Sequence, residues 1–168
     1  MALGRFLGAL DRVLFSVIGA LLAAMLADVA IQVFFRYVVH DPPTWTEELA
    51  RFLFIWQIFL AAGLAFGRGA HIVVDAALLV LPGGGQRVVA TVSHGLVLGF
   101  LGVLVWQGVN MTRLTSDTAS TAMNLNMGVV YAALPVGAGV AALHVFVQLV
   151  RLMRGAPGPD RVAVTMVD

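Results

Sequence analysis

Four long apolar runs, separated by short polar segments, dominate the pattern along the chain. They cover about residues 13–36, 47–67, 87–109 and 129–151. An α-helix rises about 1.5 Å per residue, so it needs roughly 20 apolar residues to cross a hydrocarbon core of about 30 Å. Each run is about that long. The pattern therefore predicts an all-α integral membrane protein with four transmembrane helices.

Two further segments fall outside these four runs. Residues 72–81 are apolar but too few to span a bilayer, and Pro82 and three glycines follow them. We therefore predict a short interfacial or re-entrant segment between helices two and three. Residues 155–168 contain two prolines and no periodic apolar pattern, which is typical of a disordered tail. Residues 1–154 are then one transmembrane domain.

The arginines predict the orientation of the helices. If the N-terminus lies in the cytoplasm, the cytoplasmic side holds Arg5, Arg12, Arg68, Arg87, Arg151, Arg154 and Arg161. The opposite side then holds only Arg36, Arg51 and Arg113. The positive-inside rule therefore predicts that both termini and the tail are cytoplasmic. The first run is longer than a secretory signal and is interpreted as a retained anchor.

Composition removes several classes of function. Apolar residues make up 60% of the chain and charged residues only 11%, unlike a soluble enzyme. The formal net charge of +1 gives no basic surface for nucleic acid. The absence of cysteine excludes disulfides and thiolate metal sites. No nucleophile and base stand at a catalytic spacing, so the residues alone indicate no enzyme and no cofactor.

Polar residues inside the first run form one stripe. Asp28, Gln32 and Arg36 recur at every fourth position, which places them on one helix face. A charged group near the helix centre is costly in lipid, so Asp28 should face protein or water. A proton or ion relay is one interpretation. Beyond Glu48, the apolar spans of helices two to four contain no acidic residue, which favours a packing contact, within this chain or with another subunit.

The entry to the second helix carries a second group of polar residues. Thr44 and Glu47 have the spacing of a capping box, and Glu47 lies four residues before Arg51. Glu48 also lies at this positive helix end, and Trp45 is placed to anchor the interface. A capped, charge-paired helix entry explains these residues. A docking edge for a partner protein is the functional interpretation, and the two are compatible.

Histidines and a proline supply the remaining candidates. His94 and His144 each lie seven residues from an arginine, so antiparallel helices would place both at a similar depth, where they could ligate a b-type haem. Local packing is the simpler interpretation. His71 and Asp75 share a face at i, i+4 spacing, but a metal site needs three or four ligands. Pro135 is predicted to kink the fourth helix.

The chain resembles the small integral membrane subunit of tripartite ATP-independent periplasmic (TRAP) transporters over about residues 13–154. The resemblance lies in QVFFRYVVHDPPTWTEELARFLFIWQIFLAAGLAFGRGAHIVVDAALLVLP and in VVYAALPVG. The matching features are Arg36-Tyr37, Trp45, Glu47-Glu48, Arg51, Trp56, Gly67-Arg68, His71-Ile72, Asp75, Tyr131 and Pro135.

The resemblance implies a non-catalytic subunit in the bacterial inner membrane. In that family a periplasmic binding protein delivers a small carboxylate solute to a large membrane subunit, which holds the substrate site and the coupling sodium ions. The small subunit is then a scaffold that contributes to docking. The residues expected at subunit or docking interfaces are Asp28, Gln32, Arg36, Trp45, Glu47, Glu48, Arg51, His71, Asp75 and Pro135.

Two other functions compete with this one. The first is a haem b-binding electron-transfer subunit that uses His94 and His144. The second is a small channel or exporter formed by oligomerisation, although helices two to four offer few polar stripes to line a pore.

Overall fold

The computed structural model describes residues 2–67 and 83–154, and these residues are almost entirely helical. The first helix, α1, spans Ala2–Phe34 and continues as a π-helical turn, Phe35–Val39. The other helices are α2 at Thr44–Gly67, α3 at Gly83–Leu114, α4 at Met127–Tyr131 and α5 at Ala133–Met153. The interfacial segment with His71 and Asp75, and the tail 155–168, lie outside the described residues.

The four predicted membrane spans are confirmed. Within residues 2–67 and 83–154, four helical stretches are long and apolar enough to cross a bilayer, with α4 and α5 together forming the last. The helices extend beyond the predicted runs, because α1 begins at Ala2 and α3 reaches Leu114. Hydropathy marks only the part of a helix that needs lipid, whereas the backbone continues helically through polar residues at the membrane surface. The orientation of the termini stays a prediction.

The helices form an open row rather than a closed bundle. Helix α1 packs on α2, α2 packs on α5, and α5 packs on α3. Among the described residues, α1 and α3 make no extensive contact with each other and form the two edges of the row. The core lies between α3 and α5, where Leu101 packs against Ala138, Ala141 and Val145. This arrangement leaves both edge helices open to lipid or to another subunit.

Small residues allow α2 and α5 to approach closely at the centre of the row. A Cβ atom added to Gly63 would lie 2.9 Å from the carbonyl oxygen of Gly137. A Cβ atom added to Gly137 would overlap the backbone of Phe59. Close contact between small residues is the usual way for membrane helices to associate, because lipid removes the hydrophobic driving force between them.

Pro135 lies next to an interruption in the last membrane span. The break between α4 and α5 falls at Ala132, one turn before Pro135. Proline has no N–H to donate to the preceding turn, and its ring crowds the carbonyl there. The ring also contacts α3, because a Cβ atom added to Gly108 would lie 2.8 Å from Pro135 Cδ. Pro135 therefore has a packing role within this chain.

Candidate functional site: the entry edge of α2

Polar contacts concentrate at the end of the row where α2 begins. We call this region the entry edge and define it as the end of α1 (residues 32–40), the first turns of α2 (residues 44–51) and the α3–α4 loop (residues 115–126). Glu47 and Glu48 are adjacent, so their side chains leave α2 about 100° apart. They therefore reach different neighbours.

Glu48 holds the α3–α4 loop. Its Oε1 accepts hydrogen bonds from the backbone N–H groups of Thr121 and Ala122, both at 3.1 Å. Its Oε2 accepts a third from Met123 at 3.0 Å. A carboxylate that accepts several backbone N–H bonds makes charge-assisted contacts, which are stronger than neutral ones. One side chain of α2 therefore fixes three successive residues of a loop that lies far away in sequence.

The loop is also folded by its own bonds. Ser120 N–H donates to Leu125 O at 2.8 Å, and Leu125 N–H donates to Ser120 Oγ at 3.1 Å. Asn124 adopts a left-handed conformation with φ 53°, which asparagine tolerates better than most residues. Asn126 caps α4, because its Oδ1 accepts from Gly128 N–H at 2.7 Å. The loop is thus a compact turn in which the backbone N–H groups of residues 121–123 point toward Glu48.

Glu47 binds the end of α1 instead. Its Oε1 lies 3.4 Å from Gln32 Nε2 and 3.5 Å from Arg36 Nη2. The side chains of Arg36 and Glu47 are 53% and 60% exposed, so solvent screens this pair strongly. The contact nevertheless joins α1 to α2 at the surface.

The predicted capping box and the predicted Glu47–Arg51 pair are not formed. Thr46, rather than Thr44, closes the helix start, because its hydroxyl donates to Pro43 O at 2.7 Å. Glu47 turns to Arg36 of the neighbouring helix, which leaves Arg51 exposed and without an ion pair among the described residues. Arg36, on the neighbouring helix, therefore binds Glu47 in place of the local partners that the sequence spacing predicted.

Asp28 separates from the rest of its predicted stripe. It is 3% exposed and lies against the backbone of α2 near Ala50. Neither carboxylate oxygen has a hydrogen-bond partner among the described residues. Gln32 and Arg36 lie further along α1 at the entry edge, whereas Asp28 is enclosed between α1 and α2. Asp28 is therefore packed against α2 within this chain.

Sequence reasoning missed a second polar group at the other end of α2. This exit cluster consists of Asp11, Phe66, Gly67, His144 and Gln148. His144 Nε2 lies 3.0 Å from Asp11 Oδ1, and its Nδ1 lies 3.0 Å from Val140 O. Gln148 Nε2 donates to Phe66 O at 2.9 Å. Gly67 leaves room for the imidazole, since a Cβ atom there would lie 2.7 Å from His144 Cδ2.

The two histidines that the competing haem hypothesis would use have other contacts. Both ring nitrogens of His144 are within hydrogen-bond distance of protein oxygens. His94 Nδ1 lies 2.8 Å from the carbonyl of Ala90 in its own helix. An axial ligand needs one ring nitrogen directed at the iron, and His144 offers none. In the part of the chain that the structure describes, no group of three or more metal-ligating side chains occurs.

Comparison with known proteins gives consistent matches. Residues 24–155 match the family model of the DctQ component of tripartite ATP-independent periplasmic transporters. The chain is 31% identical over 153 residues to the isethionate TRAP transporter permease protein DctMQ of Oleidesulfovibrio alaskensis, which covers 84% of this chain and 24% of that protein.

Two small permease proteins are also similar. The sialic acid TRAP transporter small permease protein SiaQ of Vibrio cholerae is 38% identical over 52 residues, 31% of this chain and 30% of that protein. The C4-dicarboxylate TRAP transporter small permease protein DctQ of Rhodobacter capsulatus is 26% identical over 107 residues, 62% of this chain and 47% of that protein. The matches span less than half the length of these relatives.

Proposed function

Because the chain belongs to the DctQ-component family of TRAP transporters, we propose that it is the small, non-catalytic permease subunit of such a transporter. It acts as a membrane scaffold beside a large transport subunit in the bacterial inner membrane. Its entry edge contributes to the surface on which a periplasmic solute-binding protein docks. The multi-pass fold supports this role, because it supplies four helices long and apolar enough to span a membrane within the described residues.

The open row of helices supports the scaffold role. The outward face of α3 carries Leu96, Phe100 and Trp106, which are 71%, 63% and 64% exposed. Such large apolar side chains suit lipid or an adjoining membrane subunit. In the isethionate permease the matching segment is 24% of a longer chain. A corresponding segment within a longer permease supports the idea that this chain works against a larger membrane part.

The docking proposal rests on one observation, namely that Glu47 and Glu48 bind different partners. Glu48 holds the loop at residues 121–123 in one conformation, while Glu47 and Arg36 remain at the surface. A surface that is ordered and polar meets a partner with little entropy cost. Trp45 is 40% exposed beside it and supplies an aromatic group of the kind enriched at interfaces. Under the predicted orientation this edge faces the periplasm.

The solute and the energy source are the finer parts of the proposal. The relatives are named for isethionate, sialic acid and C4-dicarboxylates, and each of these is an organic anion. We propose that the solute here is a small carboxylate or related organic anion, whose uptake is coupled to sodium. Both properties belong to the large subunit, which holds the substrate site and the sodium ions.

Pull-down of the tagged full chain from its native membrane in mild detergent tests the assembly. A large polytopic protein in near-equal amount is the expected result. A homo-oligomer alone would contradict the proposal and favour the channel.

Uptake by Glu47→Lys tests docking, because the charge reverses while Glu48 still holds the loop. We expect severalfold slower uptake with unchanged solute preference, since charges at the rim of an interface mainly alter the association rate. Glu47→Gln, which removes the charge without reversing it, should lie between wild type and Glu47→Lys. Wild-type uptake by Glu47→Lys would remove Glu47 from the docking surface.

A further inference from the structure

An apolar groove runs along the seam between α2 and the last span, which α4 and α5 form together, and it starts at the entry edge. Its upper part has a volume of about 370 Å³ and is lined on one side by Arg51 and Phe59 of α2 and on the other by Val130 and Tyr131 of α4 and Leu134 of α5. Its lower part, of about 110 Å³, shares Phe59 and Leu134 with the upper part and ends beside Gly137 and Ala141. The two parts therefore follow one another along the same seam.

The groove exists because of the residues in the seam. Ala62, Gly63, Gly137 and Ala138 are too small to fill the space between the two helices, and all four line its lower part. Close approach of the backbones at Gly63 and Gly137 makes the floor. Larger side chains on both sides, including Leu101 of α3, form the walls.

The length of the groove matches one leaflet of a bilayer. Twelve residues separate Arg51 from Gly63, which corresponds to about 18 Å along a helix. Half of a hydrocarbon core of about 30 Å is about 15 Å. The groove therefore extends from the lipid headgroup region to about the middle of the membrane, as one acyl chain does.

Among the described residues that line the groove, only Arg51 is charged, and it lies at the upper end. Its Cα is about 10 Å along α2 from Thr44, so its long side chain can reach the headgroup layer. Among the described residues the guanidinium makes no hydrogen bond or ion pair. A cation in this position needs an anionic partner to offset its desolvation, and a guanidinium fits phosphate with two parallel hydrogen bonds.

We propose that this groove is a binding site for one phospholipid. The acyl chain lies along the seam between α2 and the last span, and the headgroup phosphate pairs with Arg51. The lipid belongs to the leaflet that contains the N-terminal end of α2. An acidic side chain of another membrane protein would satisfy the charge of Arg51, but it would leave the leaflet-long apolar groove without an occupant of matching shape.

The test is native mass spectrometry of the full chain, purified in mild detergent with any subunit that accompanies it. The delipidated protein is titrated with dioleoyl phosphatidylglycerol. We expect one tightly bound lipid and about tenfold weaker binding by Arg51→Gln, which loses one charge-assisted contact. Arg51→Lys should keep most of the affinity. Arg113→Gln is the matched control, because it removes an exposed arginine at the same end of the row, outside the groove.

A second variant tests the acyl chain separately. Ala62 is exposed and lines the lower groove, so Ala62→Phe fills that part without entering the core. It should weaken binding of the dioleoyl lipid and leave dihexanoyl phosphatidylglycerol unaffected, because short chains reach only the upper part. Unchanged lipid binding by Arg51→Gln, or equal loss in Arg113→Gln, would overturn the proposal. So would loss of an accompanying membrane protein from Arg51→Gln with lipid binding intact.

Discussion

The two ends of α2 are held by polar contacts of different kinds. At the entry edge, the half-buried carboxylate of Glu48 binds a loop backbone and the exposed carboxylate of Glu47 binds an exposed arginine. At the exit cluster, His144 is 4% exposed and binds Asp11, while Gln148 binds a carbonyl at the end of α2. The entry edge thus orders a loop in contact with water, whereas the exit cluster joins three helices around the buried His144.

This difference indicates which polar contacts stabilise the fold as a whole and which fix the conformation of the surface loop. Exposed ion pairs contribute little to stability, because water screens them. A buried polar group that loses its partner costs more, because its desolvation is no longer offset. The exit cluster should therefore maintain the helix row. The entry edge should control the loop conformation with little influence on global stability.

Replacing His144 should have the largest effect. We expect His144→Leu to lower the free energy of unfolding by about 2 kcal/mol, since it removes the hydrogen bond between a buried imidazole and a partly exposed carboxylate. Thermal unfolding followed by circular dichroism in mild detergent measures the change. His94→Leu is the control, because its Nδ1 contact lies within one helix, and it should lower the transition temperature less. Equal losses from both variants would remove the distinction between the two histidines.

Replacing Glu48 should have the next largest effect, confined to the loop. Glu48→Gln loses the charge and one acceptor oxygen, so we expect local opening to become easier by about 1.4 kcal/mol. That corresponds to about tenfold faster amide hydrogen exchange at Thr121, Ala122 and Met123, with an unchanged unfolding temperature.

Glu47→Gln provides the neighbouring control for the Glu48 experiment. Among the described residues, the Glu47 side chain contacts α1 and makes no hydrogen bond to the loop. Amide exchange at residues 121–123 should therefore stay at the wild-type rate. Faster exchange in both variants would mean that net charge, rather than the three hydrogen bonds, orders the loop.

The sequence predicts the spans and the location of the entry edge well, because both depend on local patterns. Hydropathy over about 20 residues identifies a span regardless of its neighbours. The cluster of charges around Glu47 and Glu48 is visible for the same reason. The helix limits were less accurate, because backbone hydrogen bonding continues beyond the lipid-embedded part.

The partners of the polar residues depend on tertiary packing and could not be predicted. Asp11 lies before the first predicted span, and its partner His144 is 133 residues away. Glu47 had local candidates at Thr44 and Arg51, yet the packing of α1 on α2 brought Arg36 to it. Only the order of helices in the row determines these pairs, and no periodicity in the sequence specifies that order.

Gln148 should contribute less than His144 within the same cluster. Gln148→Leu removes a neutral hydrogen bond to Phe66 O, and we expect a loss of about 1 kcal/mol in the free energy of unfolding. Gln107→Leu makes the same substitution on an exposed face of α3 and should leave stability unchanged or raised in detergent. If Gln107→Leu destabilised the protein as much as Gln148→Leu, the exit cluster would have no special role.

The smallest effect should come from the Arg36–Glu47 pair, and it completes the comparison of the two ends. A double-mutant cycle of Arg36→Gln and Glu47→Gln should give a coupling energy of about 0.5 kcal/mol, because both side chains are more than half exposed. The coupling should fall further in 1 M salt, where the Debye length is about 3 Å. A coupling above about 2 kcal/mol that persists in salt would show that this pair is shielded from water and holds α1 to α2 as firmly as the buried cluster does.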